Sequence, residues 1–121
     1  MSQLNLDPLR YDWASIQRGD TMPAQIFSDT SADTDLSRVR VKICDSDGVK
    51  QVSLDSSTSG ITINTSTAGS WNFTIDAISA ATTEALTAGL YAYDLETTDS
   101  SGYVRTEFEG VWEIRPQITD A

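Results

Sequence analysis

The strongest constraint in the sequence lies in its last long stretch, Gly89 to Arg115, where side chains alternate in character on either side of a turn-forming segment, Thr97-Thr98-Asp99-Ser100-Ser101-Gly102. From Val104 the even positions are Val104, Thr106, Phe108, Gly110, Trp112 and Ile114, apolar or small. The odd ones are Tyr103, Arg105, Glu107, Glu109, Val111, Glu113 and Arg115, mostly charged. A period of two with one apolar face specifies a half-buried strand. The preceding segment carries Tyr91, Tyr93 and Leu95 on one face and Leu90, Ala92 and Asp94 on the other. Apolar weight on both faces reads as the inner strand of a β-hairpin. Gly110 has no side chain to pack, and its place inside a long strand is expected to mark a bulge or bend.

The same alternation recurs upstream. Arg38-Val39-Arg40-Val41-Lys42-Ile43 gives three β-branched residues inward and three cations outward, and Asp45-Ser46-Asp47-Gly48 turns it into Val49 to Leu54, a second hairpin. Gly60 to Asn64 is a short strand, and a turn at Thr67-Ala68-Gly69 leads into Trp71, Phe73 and Ile75 alternating with Asn72, Thr74 and Asp76. Thr21 to Phe27 is expected as a strand with Met22, Ala24 and Ile26 on one side and Pro23 favouring an edge. Leu9 to Ile16, with Tyr11 and Trp13 two apart, is a first strand or an extended lead-in. Residues 77–88 alone lean helical, with Ile78, Ala81, Ala85 and Leu86 expected on the inner side of a short crossover.

These elements predict an all-β fold, an antiparallel immunoglobulin-like β-sandwich of seven to eight strands with one short helical crossover near 77–88. Its expected core is Trp71, Phe73, Tyr91, Tyr93, Phe108 and Trp112. The 121 residues divide into a flexible N-terminal arm (1–8), a single sandwich domain (9–116) and a C-terminal tail (117–121).

Composition narrows the function. With one cysteine, Cys44, and no histidine, the chain can form no internal disulfide, no histidine-based triad and no Cys/His zinc site. A formal charge of −10 argues against nucleic-acid binding, and no apolar run is long enough for a membrane span. The N-terminus lacks the pattern of a secretory signal, so synthesis in the cytoplasm is expected. No cofactor and no metal is expected.

Candidate sites divide between chemistry and surface. Arg18-Gly19-Asp20 matches an integrin-binding tripeptide, but ordinary turn chemistry explains it. Asp45-Ser46-Asp47-Gly48 resembles the start of a calcium loop whose twelfth position would be Ser56 rather than glutamate, so a hairpin turn is favoured. Cys44 has no histidine to activate it and reads as a strand-end packing residue. Asp94, Glu96, Glu107, Glu109 and Glu113 could pair as glycosidase carboxylates, yet a flat strand face offers no cleft to desolvate an acid. The row Arg38, Arg40 and Lys42 is either neutralised by glutamates of the closing strand lying beside it in the sheet or forms a docking face for an acidic partner such as another copy of this chain. With Tyr11 and Trp13 it makes up the expected interaction face.

The order of motifs carries a resemblance. An aromatic lead-in, Arg18-Gly19-Asp20-Thr21 opening a strand, Asp35-Leu36-Ser37 before the cationic strand and Gly60-Ile61 before Trp71-Asn72-Phe73 are followed by Ala88-Gly89-Leu90-Tyr91-Ala92-Tyr93-Asp94-Leu95 and a closing strand with Gly110. In this the chain resembles small immunoglobulin-like proteins of tailed bacteriophages, in particular the N-terminal modules of phage baseplate upper proteins and related virion proteins. The resemblance implies a non-enzymatic tail-, baseplate- or capsid-associated protein that assembles with other virion proteins and copies of itself, located in the virion. The alternative is a carbohydrate-binding or adhesion module in which Tyr11, Trp13 and Tyr103 stack on sugars.

Overall fold

A computed structural model describes residues 9–30 and 34–117. The expected arm 1–8 and residues 118–121 of the expected tail lie outside the described residues. The elements in chain order are β1 (Leu9–Arg10), β2 (Ile16–Gln17), β3 (Gln25–Asp29), β4 (Arg38–Cys44), β5 (Lys50–Asp55), β6 (Ile61–Thr67), β7 (Ser70–Ile75), α1 (Ala80–Glu84), β8 (Gly89–Thr98) and β9 (Val104–Arg115). They form a sandwich. One sheet runs β1-β9-β8-β4-β5, with β2 also on β9, and the other runs β3-β7-β6. Strands β9-β8-β4-β5 stand where immunoglobulin-like domains place G-F-C-C′, and β3-β7-β6 where they place B-E-D.

The inward positions follow from the period of two. Val39, Val41 and Ile43 of β4, Tyr91, Tyr93 and Leu95 of β8, Trp112 and Ile114 of β9, and Trp71, Phe73 and Ile75 of β7 are all buried. Five of the six expected core aromatics are among them. Phe108 is only half-buried, packing on the rim against Phe27. Each large apolar side chain removed from water contributes roughly 2–3 kcal/mol before entropy is subtracted.

Two hairpins are closed by the same device. Asp45 and Asp99 each open a loop in which Oδ1 accepts the amides two and four residues on, 2.9 and 2.9 Å for Asp45 and 2.9 and 3.1 Å for Asp99. The glycines three residues after them, Gly48 and Gly102, take φ of 81° and 89°, the region that a Cβ disfavours. This is why Asp-x-x-Gly recurs where the chain reverses.

The start of the chain departs from the expected antiparallel pattern. β1 and β2 pair with β9 in parallel, Leu9 opposite Phe108 and Ile16 opposite Ile114. Between them the ladder continues through Tyr11 N–H to Glu109 O (2.9 Å) and Trp13 N–H to Val111 O (3.0 Å). The Asp12 carboxylate takes the place of a backbone carbonyl by accepting from the Val111 amide at 3.0 Å. Gly110 belongs to this seam. No bulge lies at it, contrary to expectation. A Cβ there would collide with the Tyr11 carbonyl, so the missing side chain is the room the first segment occupies. The register shift in this hairpin lies instead beside Leu95/Glu96, where Glu107 is the extra residue.

Two other expectations are corrected. Met22 is buried and bridges to Ile78, but Pro23 cannot donate to a ladder, and the chain rejoins a sheet only at Gln25 with its phase inverted. Phe27 therefore stacks on Phe73 at 5.4 Å, and Ile26 is 72% exposed. In the crossover, Ser79 caps the single helical turn by accepting from the Thr82 amide. Its inner side is Ile78, Thr83 and Leu86, while Ala81 and Ala85 face outward. Thr83 is fully buried because its hydroxyl reaches the Asp20 carbonyl at 2.7 Å.

Replacing Gly110 with alanine is expected to push the first segment off β9 and destabilise the fold by about 2–3 kcal/mol in urea titration. Tyr93→Phe, which leaves the Tyr11 carbonyl without its hydroxyl donor, should cost about 1 kcal/mol.

Candidate functional site

The cations of β4 are placed by strand alternation on the outer face of the larger sheet, and two of them meet carboxylates on adjacent strands. Arg38 holds Asp55 of β5 through Nε and Nη2, at 3.0 and 2.5 Å. Arg40 reaches Glu96 of β8 at 2.6 Å. Lys42 stands between Ser53 on β5 and Asp94 on β8. Of the two readings of this row, cross-strand ion pairing accounts for Arg38 and Arg40. The acids come from β5 and β8 rather than from the closing strand. Asp55 was invisible as a partner because nothing in its local sequence fixes the β4/β5 register.

The carboxylates differ in their surroundings. The Arg38 guanidinium, with help from the Ser57 amide and hydroxyl, holds Asp55 well below the usual carboxylate range. Asp94 moves the other way. Partial burial raises its pKa, neighbouring Glu96 and Glu109 add to this, and Lys42 only partly offsets them. Asp94, Glu96, Glu109 and Glu113 lie along the flat outer sheet face.

Tyr11 and Trp13, expected to be surface aromatics, have different fates. Tyr11 is 44% exposed and sets its ring edge against Phe27. Trp13 is buried, stacked on Tyr93 at 4.6 Å and edge-on to Trp112 at 5.3 Å. It belongs to the core and not to an interaction face. The reason is the parallel seam, which turns Trp13 inward over β9 while Tyr11 stays at the rim. Burial likewise pushes the Tyr93 hydroxyl up.

The remaining motifs are structural. Arg18 donates from Nε to the Glu84 carbonyl at the end of α1, Gly19 takes φ of 90°, and the Asp20 amide closes a turn on Gln17 O. Asp45 spends both carboxylate oxygens on its own hairpin, one on two amides and the other on Gln51. Cys44 ends β4, partly exposed. Among the described residues, no group of three or more Cys, Asp and Glu side chains is placed to hold a metal ion.

An open concavity accompanies the register shift beside Glu96. Beyond the extra residue Glu107, the inner side of β9 presents Arg105 opposite Thr97. There the Arg105 guanidinium lies 3.6 Å from Glu107 and the Thr97 hydroxyl 3.4 Å from the same carboxylate. Together with Thr34, Asp99, Tyr103 and Val104 they line an open cleft of about 490 Å³ at the end of the sandwich. Tyr103, 77% exposed, forms its apolar wall. The alternating sequence Val104 to Phe108 carries no signal for this inversion, so Arg105, Glu107 and Thr97 could not be grouped from it.

No protein-family model and no curated protein matches this sequence. Among solved structures the chain is similar to CopC from Methylosinus trichosporium OB3b, with 13% identity over 90% of this chain and 89% of that one and a TM-score of 0.47. It is also similar to part of a family 123 glycoside hydrolase from Clostridium perfringens, with 12% identity over 93% of this chain and a TM-score of 0.52. The chain spans 24% of the hydrolase's length, and at this identity the likeness is one of fold alone.

The opposed environments of Asp55 and Asp94 give a pH test. Asp55 has a lowered folded-state pKa, so its contribution to stability is present above the unfolded value of about 3.9 and is lost as pH falls below it. Asp94 has a raised one, so it costs stability at neutral pH and the cost fades as pH falls through its folded value. In denaturant titrations at pH 7, Asp55→Asn should destabilise by about 1–2 kcal/mol and Asp94→Asn should stabilise slightly, both effects shrinking toward pH 3.5.

Proposed function

We propose that this protein is a non-enzymatic structural component of a tailed-bacteriophage particle, acting through protein–protein assembly in the tail, baseplate or capsid. The observation that carries this reading is the order of strand and turn motifs, above all Gly89-Leu90-Tyr91-Ala92-Tyr93-Asp94-Leu95. In the fold the two tyrosines are buried, one fastening the first segment, while Leu90, Ala92 and Asp94 are left on the outer sheet face. That combination suits a rigid block whose flat outer surfaces meet neighbours. Mass spectrometry of purified virions should find the protein in stoichiometric copy number. Its absence from particles that assemble and infect normally would contradict this reading.

The cleft at Tyr103 favours a second reading, a carbohydrate-binding or adhesion module. An exposed phenol ring beside an arginine, a carboxylate and hydroxyls is the combination that stacks on and hydrogen-bonds to a sugar. If the cleft binds glycans, array signal should fall at least about tenfold on Tyr103→Ala, a loss of one ring's stacking, and persist in Tyr11→Ala.

A further inference from the structure

The outer face of the larger sheet is laid out in cross-strand rows. One row reads Arg10 (β1), Glu109 (β9), Asp94 (β8), Lys42 (β4) and Ser53 (β5). The next reads Val111, Ala92, Cys44 and Lys50, with Asp12 bonded to Val111 at the edge. Leu90, 58% exposed, follows on β8 opposite Glu113. Along the central strand the face thus carries Leu90, Ala92 and Asp94, with the acids Glu109 and Asp12 on the β9 side, where Arg10 pairs with Asp12 at 2.9 Å, and the cations Lys42 and Lys50 on the β4 and β5 side.

This layout is self-complementary about a two-fold axis running along β8. Turning a copy about that axis keeps each row in place and exchanges β4 with β9. Lys42 then faces Glu109 of the second copy, Lys50 faces Asp12, and Cys44 faces Val111. Leu90 and Ala92 meet their own counterparts. The two Asp94 carboxylates meet on the axis with a Lys42 beside each. Every pair off the axis occurs twice, as a closed isologous interface requires. We propose that this face binds a second copy of the chain, sheet upon sheet, with β8 on the axis.

Five strands about 4.8 Å apart and six residues of about 3.3 Å rise give a contact of roughly 1,000 Å² counted over both copies. That is the low end for specific association, so the dimer forms in the micromolar range or above and responds to salt. The inference deepens the assembly reading by naming a partner and its surface. Particle membership stands or falls separately on the virion measurement.

Sedimentation equilibrium up to a few hundred micromolar supplies the test, with near-ultraviolet circular dichroism checking the fold of each variant. Wild type should dimerise, and Lys42→Glu and Glu109→Lys should each weaken the dimer about tenfold or more by setting like charges opposite one another twice. Mixing those two variants should restore it, because in the mixed dimer the two reversed side chains face each other and the two unchanged ones, Lys42 and Glu109, do the same. Ala92→Arg, which opposes itself on the axis, should be monomeric and gain nothing from mixing with either. A monomeric wild type, a dimer indifferent to the single reversals, or reversals that mix without re-forming it would each overturn the proposal.

Discussion

The fold depends on one seam, the parallel attachment of the first segment to β9. Three features make it. Gly110 leaves room for the Tyr11 carbonyl, the buried Tyr93 hydroxyl donates to that carbonyl, and Asp12 lends a side-chain oxygen to the Val111 amide. The consequence is the burial of Trp13, which packs against both Tyr93 and Trp112 and so joins the first segment to the core. A sheet edge that would otherwise expose unpaired amides is covered by the same stroke.

Much of this architecture could be read from the chain because alternation of side chains is a direct record of which face is wet. β4, β7 and β8 were legible residue by residue, and the repeated Asp-x-x-Gly announced both long hairpins. What escaped was whatever depends on phase rather than pattern. Pro23 and Ala24 interrupt the ladder before β3, so Ile26 and Phe27 exchange faces. The extra residue Glu107 does the same to the beginning of β9. A shift of one residue inverts every side chain beyond it, and no local propensity marks where the shift falls.

Gly110 shows a different limit. Its lack of a side chain was legible as something requiring explanation, and a bulge was a reasonable expectation. The real cause is a neighbour ninety-nine residues earlier in the chain. Trp13 and Asp55 illustrate the same point. Their roles are set by partners that lie far away in sequence, and only the assembled sheet reveals them. For the expected interaction face the outcome divides accordingly. Arg38 and Arg40 are tied into the sheet, Trp13 is in the core, and Tyr11 and Lys42 remain at the surface.

In this account the first segment is as much part of the sandwich as the strands it joins. Native-state amide hydrogen exchange examines that most directly, because the amides of Tyr11, Trp13 and Val111 report the seam one bond at a time. They should exchange only through the same opening that releases the β8 and β9 amides, with matching protection. Fast exchange of all three while the amides bonded between β8 and β9 stay protected would mean that the segment is a loose attachment and that the core closes without it.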